Sequence, residues 1–415
     1  MAVFRYSPVD FIFTCLGLVF LVLDIALDIF AVVSFYQEEA YVILGVLVLV
    51  LVGSSILVQV FSWLWYSYEE FSRSTVVEKS LSLWQLGVVH LLQLGAYVRH
   101  AGVMEMSVRS FFTKTSNPEG LAVFLAHDLS MLRLIETFSE SSPQLVLMLT
   151  IMLQRLELHP VAVLKALGST SAIACSVTMY HRSLRSFLPD KANQKVASSL
   201  VYFSWNLFLI SSRLVALALF ASVLPWFIFA HFLCSWLVLF FCAWRCQTSF
   251  MDSSAGEWLF RATVGLIWYF NWFNVVEGKS RNKALLYHGY MLLDICLLCG
   301  LWFWKMSTEA SDLKIPQLNA LTAVLSVVAV YILGLFLKTV YYKFCHPNLT
   351  KEELKDATSD ERRPSSEDVV DSKQDSQESD DTYEVTLRSF GLVVPPPSPK
   401  RCNKRMRKLA ESFYA

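Results

Sequence analysis

Asp24 and Asp28 stand four residues apart in a stretch, 11–35, that is otherwise apolar, so a helix there carries both on one side. A second apolar run, 119–157, holds Asp128, Arg133, Glu136 and Glu140. At helical spacing these fall at roughly 0, 140, 80 and 120° around the axis, which puts four charges on one face. Arg213 lies inside 196–220 and Asp294 inside 285–306, while Arg99 and Arg182 close apolar segments. A charge at the centre of a membrane span costs about 3 kcal/mol on insertion scales. Buried ions are usually paired, and pairing alone can pin helices together. Here six acids (Asp24, Asp28, Asp128, Glu136, Glu140, Asp294) face four arginines, so one-to-one pairing leaves a surplus. A polar path hydrates that surplus and offers both signs to a permeant. Both signs suit a zwitterionic headgroup, whose phosphate and amine need opposite partners.

The elements that hold these charges are membrane-length. Of 415 residues, 55% are hydrophobic and 17% charged, against about 25% charged in a soluble domain; mean hydropathy is +0.46. The bilayer has to take that excess. The 35 basic and 35 acidic residues balance, which removes nucleic acid as a default partner. Apolar windows run over 11–35, 40–66, 81–98, 119–157, 160–180, 196–220, 225–244, 257–276, 285–306 and 316–341. The loop 181–195 (Arg182, Arg185, Lys191, Lys195) and the link 277–284 (Lys279, Arg281, Lys283) are basic, and the 36–39 turn is acidic. The positive-inside rule places the first two in the cytosol and the third outside. Then 257–276, between Arg245 and the cytosolic link, cannot cross. Nor can 81–98, between Arg73/Lys79 and Arg99/Arg109/Lys114. Both read as re-entrant or interfacial helices covered by protein. The 119–157 run crosses once, with a kink near Pro143. The expected fold is an all-α integral membrane protein with eight transmembrane helices, two re-entrant helices and both termini cytosolic.

Residues 1–346 form the membrane domain and 347–415 a cytosolic regulatory tail. The first apolar stretch shows no small-residue cleavage site and reads as a retained span. Residues 351–381 hold twelve acidic and five basic side chains and almost no large apolar ones, a composition that predicts disorder. After it come the apolar 385–394, the run Pro395-Pro-Pro-Ser-Pro399 and a basic end, 400–408, suited to an anionic surface. Asn348 begins a glycosylation sequon that this topology leaves in the cytosol.

Enzyme chemistry finds no foothold. The chain has no HExxH, P-loop, dinucleotide fingerprint or nucleophile elbow, and its eight histidines are dispersed, so no cofactor or metal is expected. Its nine cysteines fall mostly in apolar runs, which excludes a secreted disulfide framework. Cys296 and Cys299 have metal-like spacing without a second pair and read as packing. Cys345, just past the last span, is a candidate for palmitoylation.

His127-Asp-Leu-Ser-Met-Leu-Arg-Leu-Ile-Glu-Thr-Phe138 followed by Glu140-Ser-Ser-Pro-Gln144 resembles the signature of the XK-related family. Asp24-x3-Asp28, Leu91-Leu-Gln-Leu-Gly95, Glu257-Trp-Leu-Phe-Arg261, Phe273-Asn-Val-Val-Glu-Gly278 and Val340-Tyr-Tyr342 with His346-Pro347 extend the resemblance over nearly the whole membrane region. Phe61-Ser-Trp-Leu-Trp65 and Tyr202-Phe-Ser-Trp-Asn206 bring it nearest the apoptotic branch that pairs with basigin. The resemblance implies a caspase-activated phospholipid scramblase of the plasma membrane that exposes phosphatidylserine. It also implies a single-pass immunoglobulin-type subunit, basigin or a relative. Spans 196–220 and 225–244, with Ser211, Ser212 and Ala216, offer small-residue faces for it. One position departs from the family: Met179 stands where relatives carry an acid, which removes the expected partner of Arg182. In the tail, Asp368-Val-Val-Asp371 followed by Ser372 has the aspartates and the small next residue that executioner caspases favour. The same buried acids would also serve a secondary transporter or ion channel. A structural chaperone for another membrane protein is a third class.

Overall fold

The computed structural model describes residues 8–68, 75–113, 116–155, 160–187, 194–275, 281–308 and 317–345. The cleavage sequence at Asp368, Asp371 and Ser372, the sequon at Asn348 and the disorder expected of 351–381 lie outside them.

Every described element is helical. They are α1 (Pro8–Gln37), α2 (Tyr41–Tyr68), α3 (Val76–Lys79), α4 (Leu83–Leu91), α5 (Gly95–Thr113), α6 (Ser116–Glu136), α7 (Ser142–Arg155), α8 (Pro160–Phe187), α9 (Val196–Val223), α10 (Phe227–Arg245), α11 (Ser254–Phe270), α12 (Arg281–Thr308) and α13 (Gln317–Val340). Long Val/Ile/Leu runs such as 42–52 are mediocre helix formers in water. Without water a helix is the one local way to satisfy their backbone groups. Among the described residues six helices are long and apolar enough to cross a bilayer: α1, α2, α9, α10, α12 and α13. The α6–α7 run, broken by a π turn, and α8, rich in Ser and Thr, are not among them.

α9 is the central post. Two-thirds of its apolar window (67%) is buried by other helices, against 11% for α1 and 17% for α2 and α10. It packs against α7, α8, α12 and α13. Ser212 donates to the Val327 carbonyl at 2.8 Å and Ala216 is fully buried. The small-residue face expected to dock a partner is therefore occupied by the chain's own helices. α10 keeps a long exposed apolar side.

The two pieces expected to be re-entrant both end in a non-helical turn braced by neighbouring helices. α4 runs inward to Gln93, which takes a left-handed conformation (φ 64°), and α5 retraces the path. At the tip, Ser55 Oγ donates to Gln93 Oε1 (2.8 Å) and Gln59 Nε2 to the Gln93 carbonyl (3.0 Å), both from α2. α11 stops at Asn271, whose amide donates to Asn206 Oδ1 (3.0 Å) well inside α9. The irregular chain beyond is satisfied by Trp268 Nε1 donating to the Phe273 carbonyl (2.6 Å), while Tyr287 Oη donates to that of Trp268 (2.6 Å). Non-helical backbone at such depth survives only with partners of this kind.

Between α6 and α7 lies a π turn, Thr137–Ser141. Pro143 has no N–H for the Ser139 carbonyl, and its ring would crowd that turn. Widening to i→i+5 relieves both, with the Ser142 N–H bonding the Thr137 carbonyl. This is the kink expected near Pro143. One boundary is corrected: α8 continues to Phe187, so Arg182 and Arg185 are helical rather than in a loop, and Arg185 is buried. The helix continues because nothing in 181–187 breaks it before the Pro189 region.

Candidate functional site

α1 brings Asp24 and Asp28 against the end of α6 and the π turn. There they line a cavity of about 200 Å³ with Arg133, Glu136, Glu140, Gln59, Gln93 and His100. One donor oxygen each from Asp24, Glu136 and Glu140 lies within 4.8 Å of the others. Arg133 Nη1 reaches Glu136 at 3.1 Å, and Gln144 Nε2 donates to Asp28 Oδ1 at 2.8 Å. The π turn is what allows this crowding, since it re-aims Glu140 toward α1, and Ser139 is held to Ser54 of α2 at 2.7 Å. Three carboxylates in so small a volume suit a cationic group or a hard cation. As an acid cluster alone, they do not choose between the two.

A second cavity, of about 100 Å³, adjoins the first and shares His100, Leu129 and Arg133 with it. Its walls are mainly apolar (Leu18, Phe20, Val103, Val123, Ala126) and also include Met179 and Arg182. Arg182 donates to the Gln194 carbonyl (2.9 Å) and to Ser199 Oγ (2.8 Å). Both of these acceptors are neutral and belong to the chain leading into α9 and its first turn. An acid-rich cavity between α1, α2, α5 and α6 and an arginine-bearing one between α1, α5, α6 and α8 therefore meet at His100, Leu129 and Arg133.

The remaining expected path residues lie elsewhere. Asp128 does not share the face of Glu136 and Glu140: it turns toward Arg99 of α5, 4.0 Å away, with both side chains buried. Arg99 also donates to Ser62 Oγ (2.8 Å) and the Ser62 carbonyl (2.9 Å) and covers the Tyr66 ring. Those partners compete for one guanidinium, and Asp128 sits at the long end of its reach. Arg213 and Asp294 pair at 2.5 Å across α9 and α12, far from the cavity lining. His231 of α10 donates through Nε2 to Asp294 (3.1 Å) and accepts from Tyr269 Oη of α11 (3.0 Å). Four helices meet in that network, which acts as a pin.

Sequence reasoning overlooked the neutral lining: Ser55, Gln59, Gln93, Tyr97, His100 and Gln144. Ser55 and Gln59 inside the apolar window 40–66 were a readable signal. Gln93 was visible only as part of a family motif.

The family model described as "XK-related protein" matches residues 12–347. The chain belongs to the XK-related family. Its relatives include "XK-related protein 8" of Tetraodon nigroviridis, 39% identical over 420 residues, covering all of this chain and 98% of that protein. The protein of the same name from Gasterosteus aculeatus is 38% identical over 99% of this chain and 98% of its own length. That of Pan troglodytes is 36% identical over 82% and 84%. In this XK-related chain the family match spans all thirteen helices save the first residues of α1, and it stops just before the acidic tail.

Proposed function

We propose that the chain is a phospholipid scramblase of the plasma membrane, held off by its tail and activated when an executioner caspase cuts after Asp371. One observation carries the reading. The acids left over after pairing, Asp24, Asp28 and Glu140, gather in one cavity, and a second cavity that shares Arg133 with it is also lined by Arg182. A zwitterionic headgroup would find the carboxylates for its amine and the guanidinium groups for its phosphate, while acyl chains stay in lipid. Such a path runs both ways and needs no ATP. The proposed topology has eight crossings, with α6–α7 and α8 added to the six apolar helices, and both termini in the cytosol. Arg155 at the end of α7 pairs with Glu38 at the end of α1 (2.5 Å), which supports a crossing by α6–α7. A single-pass immunoglobulin-type subunit, basigin or a relative, would escort the protein to the surface, with exposed α10 as the face left for it.

The test is lipid flip in liposomes holding the purified full chain, intact and caspase-cut, read with fluorescent lipids and an impermeant quencher. The expected result is flip by the cut protein without ATP. Ion flux without flip would move the same acids to a channel or transporter.

A further inference from the structure

Two thiols stand one turn apart at the end of α10. Cys242 is exposed on the lipid-facing side, and Cys246, directly after Arg245, is half-buried. At this spacing they share a side of the helix, with Cβ atoms about 5–6 Å apart. Their level is set by what surrounds them. Trp244 and Trp258, 42% and 44% exposed, stack with centroids 5.8 Å apart, and the Arg261 guanidinium lies 6.0 Å from the Trp258 ring. Exposed tryptophans beside arginine mark the headgroup level of a bilayer. Lys283, near the start of α12, acts electrostatically on Cys246, so the basic link and the thiols share that level. Among the other thiols, Cys345 is half-buried just past α13, close in sequence to Lys343, and is a separate juxtamembrane candidate. Cys234 and Cys296 are exposed but sit two or more turns deeper along their helices, and Cys299 is buried.

We propose that Cys242 and Cys246 form a reversible S-acylation site for long-chain fatty acyl groups at the cytosolic end of α10. The side rests on Arg245, Arg281 and Lys283, the basic residues that the positive-inside rule places in the cytosol. Juxtamembrane cysteines are the usual substrates of this modification. The thiolate attacks the carbonyl of an acyl thioester, carried by a membrane acyltransferase charged from long-chain acyl-CoA. A C–S bond to the cysteine forms as the C–S bond to the carrier breaks. The cysteine's proton passes to the leaving thiolate, and no redox step occurs. Burial pushes the Cys246 thiol up, with Lys283 pulling the other way, so little free thiolate exists and an enzyme has to draw the proton. The attached chain would lie along exposed Val238 and Leu237 and hold α10 and the interfacial start of α11 at the cytosolic leaflet.

The experiment uses the full chain expressed in cells. Free thiols are blocked after reduction, thioesters are cleaved with neutral hydroxylamine, and the freed thiols receive a polyethylene-glycol maleimide. Two hydroxylamine-dependent mass shifts are expected, one lost in Cys242→Ser, one in Cys246→Ser and both in the double variant, with Cys234→Ser unchanged. Alanine at both positions should behave as serine does, which guards against a folding artefact. In a Cys345→Ser background, which removes that thiol's own contribution, no shift in the otherwise unchanged chain, or a ladder that persists in the double variants, overturns the proposal. So does a shift released by reductant alone, which marks a disulfide. Impermeant maleimide on intact and permeabilised cells reports the side of the membrane separately, and labelling from outside also overturns it.

Discussion

A carboxylate inside an apolar bundle needs a cation, a proton or strong donors, and the acids of this chain divide by how they meet that need. Asp294 has Arg213 and His231; Asp28 has the Gln144 amide and cavity neighbours. Removing one partner of a buried pair costs about 3–5 kcal/mol, because the other charge is stranded. Asp294→Asn should therefore lower the unfolding temperature and surface level sharply. The double change Arg213→Met with Asp294→Leu should recover most of the loss, since an apolar pair of similar volume often replaces a buried ion pair at no cost. Asp24→Asn, Asp28→Asn and Glu140→Gln should do the opposite. Each removes a charge from a crowd of like charges, so stability should hold or rise while lipid flip per molecule falls. Thermal unfolding in detergent and flip in liposomes, measured on the same preparations, separate the two classes. Loss of flip in the Asp294 double variant with stability restored would return that pair to the path.

Helices that stop inside a membrane protein depend on close approach, and two glycines set it here. A Cβ on Gly95 would lie 2.3 Å from the His90 ring, which caps the α4–α5 hairpin and accepts from Ser62 Oγ (2.9 Å). A Cβ on Gly265 of α11 would meet the α10 backbone at Phe240, 3.1 Å from its nitrogen. Overpacking of this kind costs about 1–3 kcal/mol. Gly265→Ala meets backbone, which cannot swing away, so it should destabilise; Gly95→Ala should displace the hairpin tip and reduce flip as well. Gly289→Ala, with open space around it, is the control, and unfolding temperature is the readout. Pro143 marked the break between α6 and α7, and the ends of α4 and α11 fall inside the windows 81–98 and 257–276. The partition of Asp128 from Glu136 was not legible, because the two lie only about 80° apart on the unbroken α6 and it is the position of α5, with Arg99, that turns Asp128 away. The Arg213–Asp294 contact joins residues 81 apart, and no local pattern encodes that.

At the scale of the whole molecule, the membrane domain and the tail carry opposite arrangements of charge. A cut after Asp371 would release residues 372–415, with eight basic against six acidic side chains, a net of +2 gathered at the end. The acidic stretch 351–371 would stay attached to α13. On the proposed topology, tethering would hold the basic end at high effective concentration beside a cytosolic mouth near Arg182, which lines the second cavity. A contact too weak to persist between separate molecules can then still block the path, and dilution removes it once the link is cut. The same basic end would bind an anionic leaflet, in which case its loss changes anchoring and leaves the path unchanged. Asp371→Ala should preserve surface delivery and abolish phosphatidylserine exposure in caspase-active cells, while a chain ending at 371 should scramble without any stimulus. Replacing 400–408 with neutral residues in the uncut chain should also activate it, in part, if the basic end makes the blocking contact. A truncated chain that reaches the surface and stays silent would show that the tail is no inhibitor, and the switch would have to lie within the helices.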